Sequence, residues 1–249
     1  MASTDTQAVL TEKERWVEAI SLDPETGLDP PGHKVRAAQG LDAASEFIQG
    51  YWIWQKVVQN LATLGYDTNT MDMAAYDWRL AYYNLEIRDQ FLSRLKSRIE
   101  LMHKTTGKKV VLASHSMGGS LALFFFKWVE AEPDKHGFGG GGGKDWVENH
   151  IEAWANVAGT LLGVPKAMTA FMSGEMRDTV ELHPLGSYVL EKVSTTVMVH
   201  YGTVQAARGL PRRTESAGEA EHDITSAGSN GSNAIAVTPS LPVSRDHVS

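Results

Sequence analysis

The stretch Lys108-Lys109-Val110-Val111-Leu112-Ala113-Ser114-His115-Ser116-Met117-Gly118-Gly119-Ser120 decides the fold. A β-rich apolar run, Val110 to Ala113, breaks into Ser-His-Ser-Met-Gly and passes at once into Leu121 to Val129, which is apolar all round. Four to six apolar residues followed by small residues and a longer apolar segment read as a buried strand turning sharply into a core helix. That turn is the geometry of a nucleophile elbow, in which small residues two positions before and after a serine let its hydroxyl stand clear of the sheet edge. Ser116 is the implied nucleophile. Ser114 stands where the usual pattern has its first glycine, and Gly118 keeps the second, where helix and strand pack closely. The competing reading is that Ser116 merely opens a helix, since Ser-x-x-Gly joins strands to helices in many α/β proteins without such chemistry.

Working outward, Met71 to Trp78 reads as a strand and Asn84 to Thr105 as one long amphipathic helix stopped by Gly107. Beyond the elbow helix, Trp146 to Asn149 begins a helical turn, Ile151 to Ala158 alternates as a further strand, and Gly159 to Pro165 leaves the sheet. Upstream, Trp52, Trp54, Val57, Val58, Leu61 and Leu64 fall at helical spacing over Tyr51 to Leu64 and end at Gly65. Residues 7–19 suggest a short helix, and Asp23 to Gly32 a loop punctuated by proline and glycine. Helices alternating with strands imply a mainly parallel sheet flanked by helices, the middle of an α/β-hydrolase fold.

Composition narrows the chemistry. The 249 residues carry a formal net charge of −7, which disfavours unspecific attraction to nucleic acid or to an anionic bilayer and favours a neutral or zwitterionic partner. Cysteine is absent, so disulfides and thiolate metal sites are excluded, and no His/Asp/Glu cluster has metal-ligand spacing; neither metal nor cofactor is expected. No apolar window is long enough to span a bilayer and the polar start does not read as a signal peptide. The glycine run at Gly139 to Gly143 lacks the Lys-Ser/Thr pair of a phosphate cradle and is read as a flexible loop. Every Trp, Phe and Tyr lies at or before Tyr201, and the Ser-, Ala- and Gly-rich remainder suggests a disordered C-terminal tail.

Six segments in order carry a resemblance: Leu22-Asp23 with Gly27-Leu28-Asp29-Pro30-Pro31-Gly32; Gly50-Tyr51-Trp52-Ile53-Trp54; Ala74-Ala75-Tyr76-Asp77-Trp78-Arg79; the elbow; Lys127-Trp128-Val129-Glu130-Ala131; and Gly159-Thr160-Leu161-Leu162-Gly163-Val164-Pro165-Lys166-Ala167. Together they resemble the phospholipid:diacylglycerol acyltransferases, within the wider lecithin:cholesterol acyltransferase family. The resemblance covers about residues 16–192, implying that 1–192 are the central portion of an α/β-hydrolase acyltransferase domain and 193–249 a divergent tail.

What the resemblance implies is transfer of the sn-2 acyl chain of a phospholipid to diacylglycerol, without acyl-CoA, through an ester on Ser116, with Met117 donating its backbone N–H to the oxyanion. It also implies action at the endoplasmic reticulum or associated membranes, with peripheral membrane contact. Asp77 and Trp78, at a strand end on the edge where hydrolase sites form, read either as lining for an acyl or headgroup pocket or as structure, with Asp77 and Arg79 pairing to fix a loop. The triad acid and histidine have no counterpart after Lys192. Asp178, Asp223, His183, His200 and His222 are the remaining candidates, none in matching context, and His115 is directed away by the turn. The expectation is a truncated chain that is feeble or inactive alone. The alternatives are a phospholipase or galactolipase using the same serine, or a non-catalytic fragment that binds lipid or a partner.

Overall fold

A computed structural model describes residues 21–48, 51–165 and 234–239; the helix expected at 7–19 and the segment 166–192 lie outside the described residues. In chain order the elements are β1 (Glu46–Ile48), β2 (Tyr51–Trp52), α1 (Gln55–Thr63), β3 (Asp72–Ala75), α2 (Tyr82–Asp89), α3 (Phe91–Thr106), β4 (Val110–His115), α4 (Met117–Glu130), α5 (Trp146–His150), β5 (Ile151–Val157) and β6 (Ala234–Pro239). β1 and β2 form an antiparallel pair, and the other four strands form one sheet in the order β3-β6-β4-β5. β4 and β5 are parallel, whereas β6 is antiparallel to both of its neighbours, so β3, β4 and β5 all run in one direction.

The expected α/β layering is present: a small sheet with helices on both faces. Along β4, Val110, Leu112 and Ser114 are fully buried while Val111, Ala113 and His115 alternate with them at half burial. Leu112 packs into the main core with α3 and α4, and Ala113 faces a smaller cluster of Ala44, Trp54 and Met73, which Val58 of α1 joins. Leu92, Leu95, Ile99 and Met102 form the buried stripe of α3, at the spacing an amphipathic helix requires. In α4, Lys127 alone is exposed, which accounts for a segment that is apolar all round.

Several expectations are corrected. The helix expected from Tyr51 begins at Gln55, because Tyr51 and Trp52 pair with β1. The strand expected over Met71 to Trp78 ends at Ala75, where the chain leaves the sheet for an ion network described below. The single helix expected over Asn84 to Thr105 is two helices that share Gln90 as a cap, in the left-handed conformation at φ 50°. Glu86 makes the break possible: its carboxylate accepts the Leu92 and Ser93 N–H groups at 2.8 and 3.1 Å and the Ser93 hydroxyl, satisfying the open donors of the first turn of α3. Lastly, six residues of the stretch read as a disordered tail, Ala234–Pro239, are a strand in the middle of the sheet; the rest of that stretch lies outside the described residues.

The glycine run is not a loose loop either. Gly140, Gly141 and Gly142 donate their N–H groups to the carbonyls of Trp128, Ala131 and Val129 at 2.7, 2.9 and 2.9 Å, capping the C-terminal end of α4. A Cβ on Gly140 would lie 2.5 Å from the Val129 Cα and one on Gly142 2.6 Å from the Trp146 ring, so the backbone reaches those carbonyls only without side chains.

The exit of β3 is fixed by charge. Asp77 accepts from Arg79 at 2.9 and 2.6 Å and from Arg88 at 2.8 Å; Asp29 pairs with Arg79 and Arg88, each at 3.1 Å, and with Arg36; Asp89 pairs with Arg88 at 2.7 Å. This joins the Pro/Gly loop, the end of β3 and α2. Each carboxylate meets at least one guanidinium in bidentate or shared geometry, which satisfies groups that burial would otherwise leave unpaired. Burial by itself raises the Asp77 pKa, but the hydrogen bonds and charge of Arg79, with Arg88, outweigh it and hold the carboxyl below the ordinary aspartate range. A folded-state value depressed in this way contributes stability that is present above the unfolded aspartate pKa of about 3.9 and is lost as pH falls toward the folded value. Urea unfolding midpoints should therefore drop steeply below about pH 4. Asp77→Asn should cost about 3–5 kcal/mol at pH 7 and flatten that acid limb; an acid limb unchanged in the variant assigns it to other carboxylates.

Candidate active site

β4 delivers Ser116 to the edge of the sheet at which β3, β4 and β5 all end. Ser116 sits at φ 53° and ψ −123°, a conformation costly for any residue with a Cβ and one met at the strand-to-helix turn of a nucleophile elbow. Two bonds hold the turn to the exit of β5: the Ser116 N–H donates to the Val157 carbonyl at 3.0 Å, and the Ser116 carbonyl accepts from the Thr160 N–H at 3.3 Å. One turn into α4, the Ser120 hydroxyl bonds the Thr160 carbonyl at 3.1 Å and lies 3.0 Å from the Thr160 hydroxyl. Ser114, in the place of the expected glycine, is fully buried, and its hydroxyl accepts from the Trp154 indole N–H at 2.8 Å. A serine is tolerated there because β5 supplies the partner that its hydroxyl needs.

The closest approach between helix and sheet falls at Gly119. A Cβ there would lie 2.7 Å from Asn156 Oδ1 and 2.8 Å from the Gly159 Cα, and a Cβ on Gly159 would meet the same amide at 2.0 Å. The Asn156 side chain thus occupies a notch formed by two glycines. Sequence reasoning missed Gly119, Ser120, Asn156 and Thr160 as residues that shape the site; the doubled glycine after the serine, and Gly159-Thr160 within a quoted segment, were the available signals.

Met117 is the first residue of α4, so its N–H has no acceptor within the helix and is placed beside the serine at the positive end of the helix dipole. Beyond the ends of the strands at this edge, the exposed residues include Trp78 after β3, Val157 at the end of β5, Leu162 beyond it and the polar Asn156. Asp77 is directed into the ion network, leaving Trp78 as the member of that pair that faces solvent.

Five histidines lie among the described residues. His103 and His150 bond the Lys108 and Trp146 carbonyls through Nδ1 and precede β4 and β5, at the opposite edge of the sheet. His136 lies in an exposed loop, and His33 Nδ1 is buried without a hydrogen-bond partner. His115 is half-buried, and that burial lowers its pKa. Asp178, Asp223, His183, His200 and His222 lie outside the described residues. Among the described residues there is also no group of three or more side chains able to hold a metal ion, and no helix long and apolar enough to cross a membrane.

The family model for lecithin:cholesterol acyltransferase matches residues 3–218. The chain belongs to the lecithin:cholesterol acyltransferase family. Over 186 residues it is 53% identical to a phospholipid:diacylglycerol acyltransferase of Saccharomyces cerevisiae, and over 164 residues 54% identical to phospholipid:diacylglycerol acyltransferase 1 of Arabidopsis thaliana, alignments that cover 75% and 66% of this chain. A human lysosomal phospholipase A and acyltransferase is 29% identical over 154 residues, 61% of this chain. The chain spans 28%, 24% and 33% of the lengths of these three relatives, so it corresponds to a part of each.

Two substitutions test the geometry. Gly119→Ala gains helix propensity of about 1 kcal/mol, but the clash with Asn156 and Gly159 should outweigh it and destabilise the chain by about 1–3 kcal/mol. Adding Asn156→Ala should recover only part of this, because the Gly159 backbone stays in the way; full recovery would assign the whole clash to the amide. Ser116→Gly relieves the strained φ and should raise the melting temperature, and a lower one would contradict the strain.

Proposed function

We propose that this chain carries the nucleophile-bearing portion of an acyl-CoA-independent O-acyltransferase that moves a phospholipid acyl chain to diacylglycerol through an ester on Ser116. The single observation that supports it most is the conformation of Ser116, at φ 53° between a buried strand and a buried helix, in a chain so similar to phospholipid:diacylglycerol acyltransferases.

In this reading the Ser116 Oγ attacks the carbonyl of the phospholipid sn-2 ester while a base from outside the described residues takes its proton. The oxyanion forms next to the Met117 N–H, at the start of α4, where a preorganised donor stabilises the charge as it develops. The C–O bond to the glycerol breaks, the proton passes to the departing lysophospholipid oxygen, and the acyl group remains on Ser116. The diacylglycerol hydroxyl then gives its proton to the base and attacks the ester. Triacylglycerol leaves, and the proton returns to Ser116. Water at the second step yields free fatty acid instead, so the degree to which apolar groups such as Trp78 keep the edge dry sets the division between transfer and hydrolysis. Both lipids reside in membranes, and the exposed apolar side chains at this edge suit contact with a bilayer surface.

The proposal includes the expectation that this chain alone is slow, since losing a triad base typically costs on the order of 10⁴ to 10⁶ in kcat. A fluorophosphonate probe should label the purified chain slowly and at Ser116, with labelling abolished in Ser116→Ala. Supplied with sn-2-labelled phosphatidylcholine and diacylglycerol, any label transferred should reach triacylglycerol in a Ser116-dependent manner. Labelling that persists in Ser116→Ala, or transfer independent of Ser116, overturns the reading; label found only in fatty acid replaces the transferase with a hydrolase.

A further inference from the structure

β3 and β4 run the same way and are linked by a crossover through α2 and α3, yet they do not pair with each other. Between them lies β6, from far along the chain, antiparallel to both. Its register links the three strands row by row: Asp72, Val237 and Leu112; Met73, Ala236 and Ala113; Ala74, Ile235 and Ser114. An antiparallel strand in an otherwise parallel sheet is ordinarily found at the edge, where reversing direction disturbs one neighbour; here it sits inside and has to match two. Neighbouring strands are spaced about 4.8 Å apart, so removing β6 would leave β3 and β4 roughly 10 Å apart. The N–H and C=O groups along both facing edges would then lose their partners, beside the buried Met73 and Leu112. The strand also ends at Pro239, opposite Val110, a residue that lacks the N–H needed to continue a ladder and so closes the paired segment.

We propose that the slot between β3 and β4 is a strand-acceptor site for an extended peptide segment, filled in cis by Ala234–Pro239. The recognition is that of β-strand addition, but with main-chain pairing along both edges of the inserted segment instead of one. The ligand class is an extended apolar peptide of about six residues, a length set by the pairing from Val110 to Ser114 on β4 and from Asp72 to Ala75 on β3. The proposal does not depend on chemistry at Ser116, because the pairing uses only backbone groups of β3, β4 and β6.

The first test uses the wild-type chain: hydrogen exchange followed by mass spectrometry on peptides covering 234–239 and 72–75. Both should exchange at least tenfold more slowly than unstructured controls, and exchange of 234–239 at the free-chain rate overturns the proposal. Ala236→Pro places proline in the middle of a strand paired on both sides, removing a donor, and should lower the melting temperature. A fluorescent peptide of residues 232–241 should then bind the Ala236→Pro chain saturably and raise its melting temperature, while the same peptide carrying the proline should do neither. A variant that melts like the wild type, or that melts early and is neither bound nor restored, overturns the acceptor site. Sedimentation as a monomer over a hundredfold range of concentration supports occupancy in cis; a dimer with the same amide protection moves the donor strand to a second copy and overturns that part. Ser116→Ala should leave exchange and peptide binding unchanged, which separates a failure here from a failure of the proposed chemistry.

Discussion

The backbone of Ser116 is the constraint around which the described structure is arranged. Its positive φ turns β4 into α4 within one residue, and such a turn persists only where the surroundings over-determine it. The carbonyl of Val157 and the N–H of Thr160 fix the turn on the β5 side, the Ser120 hydroxyl repeats that attachment one turn later, and the Asn156 amide between Gly119 and Gly159 sets the distance between helix and sheet. None of these groups is charged, and none acts on substrate in the scheme above. They hold a hydroxyl in place, and positioning of that kind is a large part of what an enzyme contributes to a covalent step.

Charge is used elsewhere, and for a different end. The three arginines and three aspartates that join the Pro/Gly loop to the end of β3 and to α2 balance one another and leave little net field. A buried network of this kind contributes little net stability relative to a well-packed apolar one, but it penalises every arrangement in which one member is unpaired. It therefore specifies where the loop at Asp29 docks, and with it the position of Trp78 beyond the end of β3. The outcome is an edge whose strong charges are internally satisfied and whose exposed side chains include Trp78, Val157 and Leu162.

What could be read from the sequence follows from how local each signal is. β4, α4 and β5 are dense in apolar residues with clear periods, and they appear within a few residues of where those periods put them. The division at Gln90 was not legible, because the apolar period runs through it and the cap comes from Glu86, whose carboxylate turns back to amides six and seven residues later. The glycine run is read from composition as loose, yet it is glycine because carbonyls of α4 need donors at close range, a fact of tertiary packing. Ser114 looked like a defect in the elbow until Trp154, on the neighbouring strand, provided its hydrogen bond. Least legible was β6: six residues without an aromatic, in polar surroundings, reveal themselves as strand only once two partner edges are known.

The same reasoning locates the part of the chemistry that the described elements leave open. Helices α3 and α5 lead into the starts of β4 and β5, which places His103 and His150 at the far edge of the sheet, and their ring nitrogens already hold backbone carbonyls there. His115 precedes the serine on the strand and is made a weaker base by burial. In the proposed chemistry the base for Ser116 comes from chain outside the described residues. In this fold the acid and the histidine come after the nucleophile in chain order, on loops beyond later strands. The turn at Ser116 is held within β4, α4, β5 and the exit of β5, since its backbone bonds go to Val157, Thr160 and Gly119. In the proposed reading, the geometry of the turn at Ser116 and the activation of its hydroxyl are thus separable properties, and the described elements of a chain spanning 28% of a yeast relative carry the first.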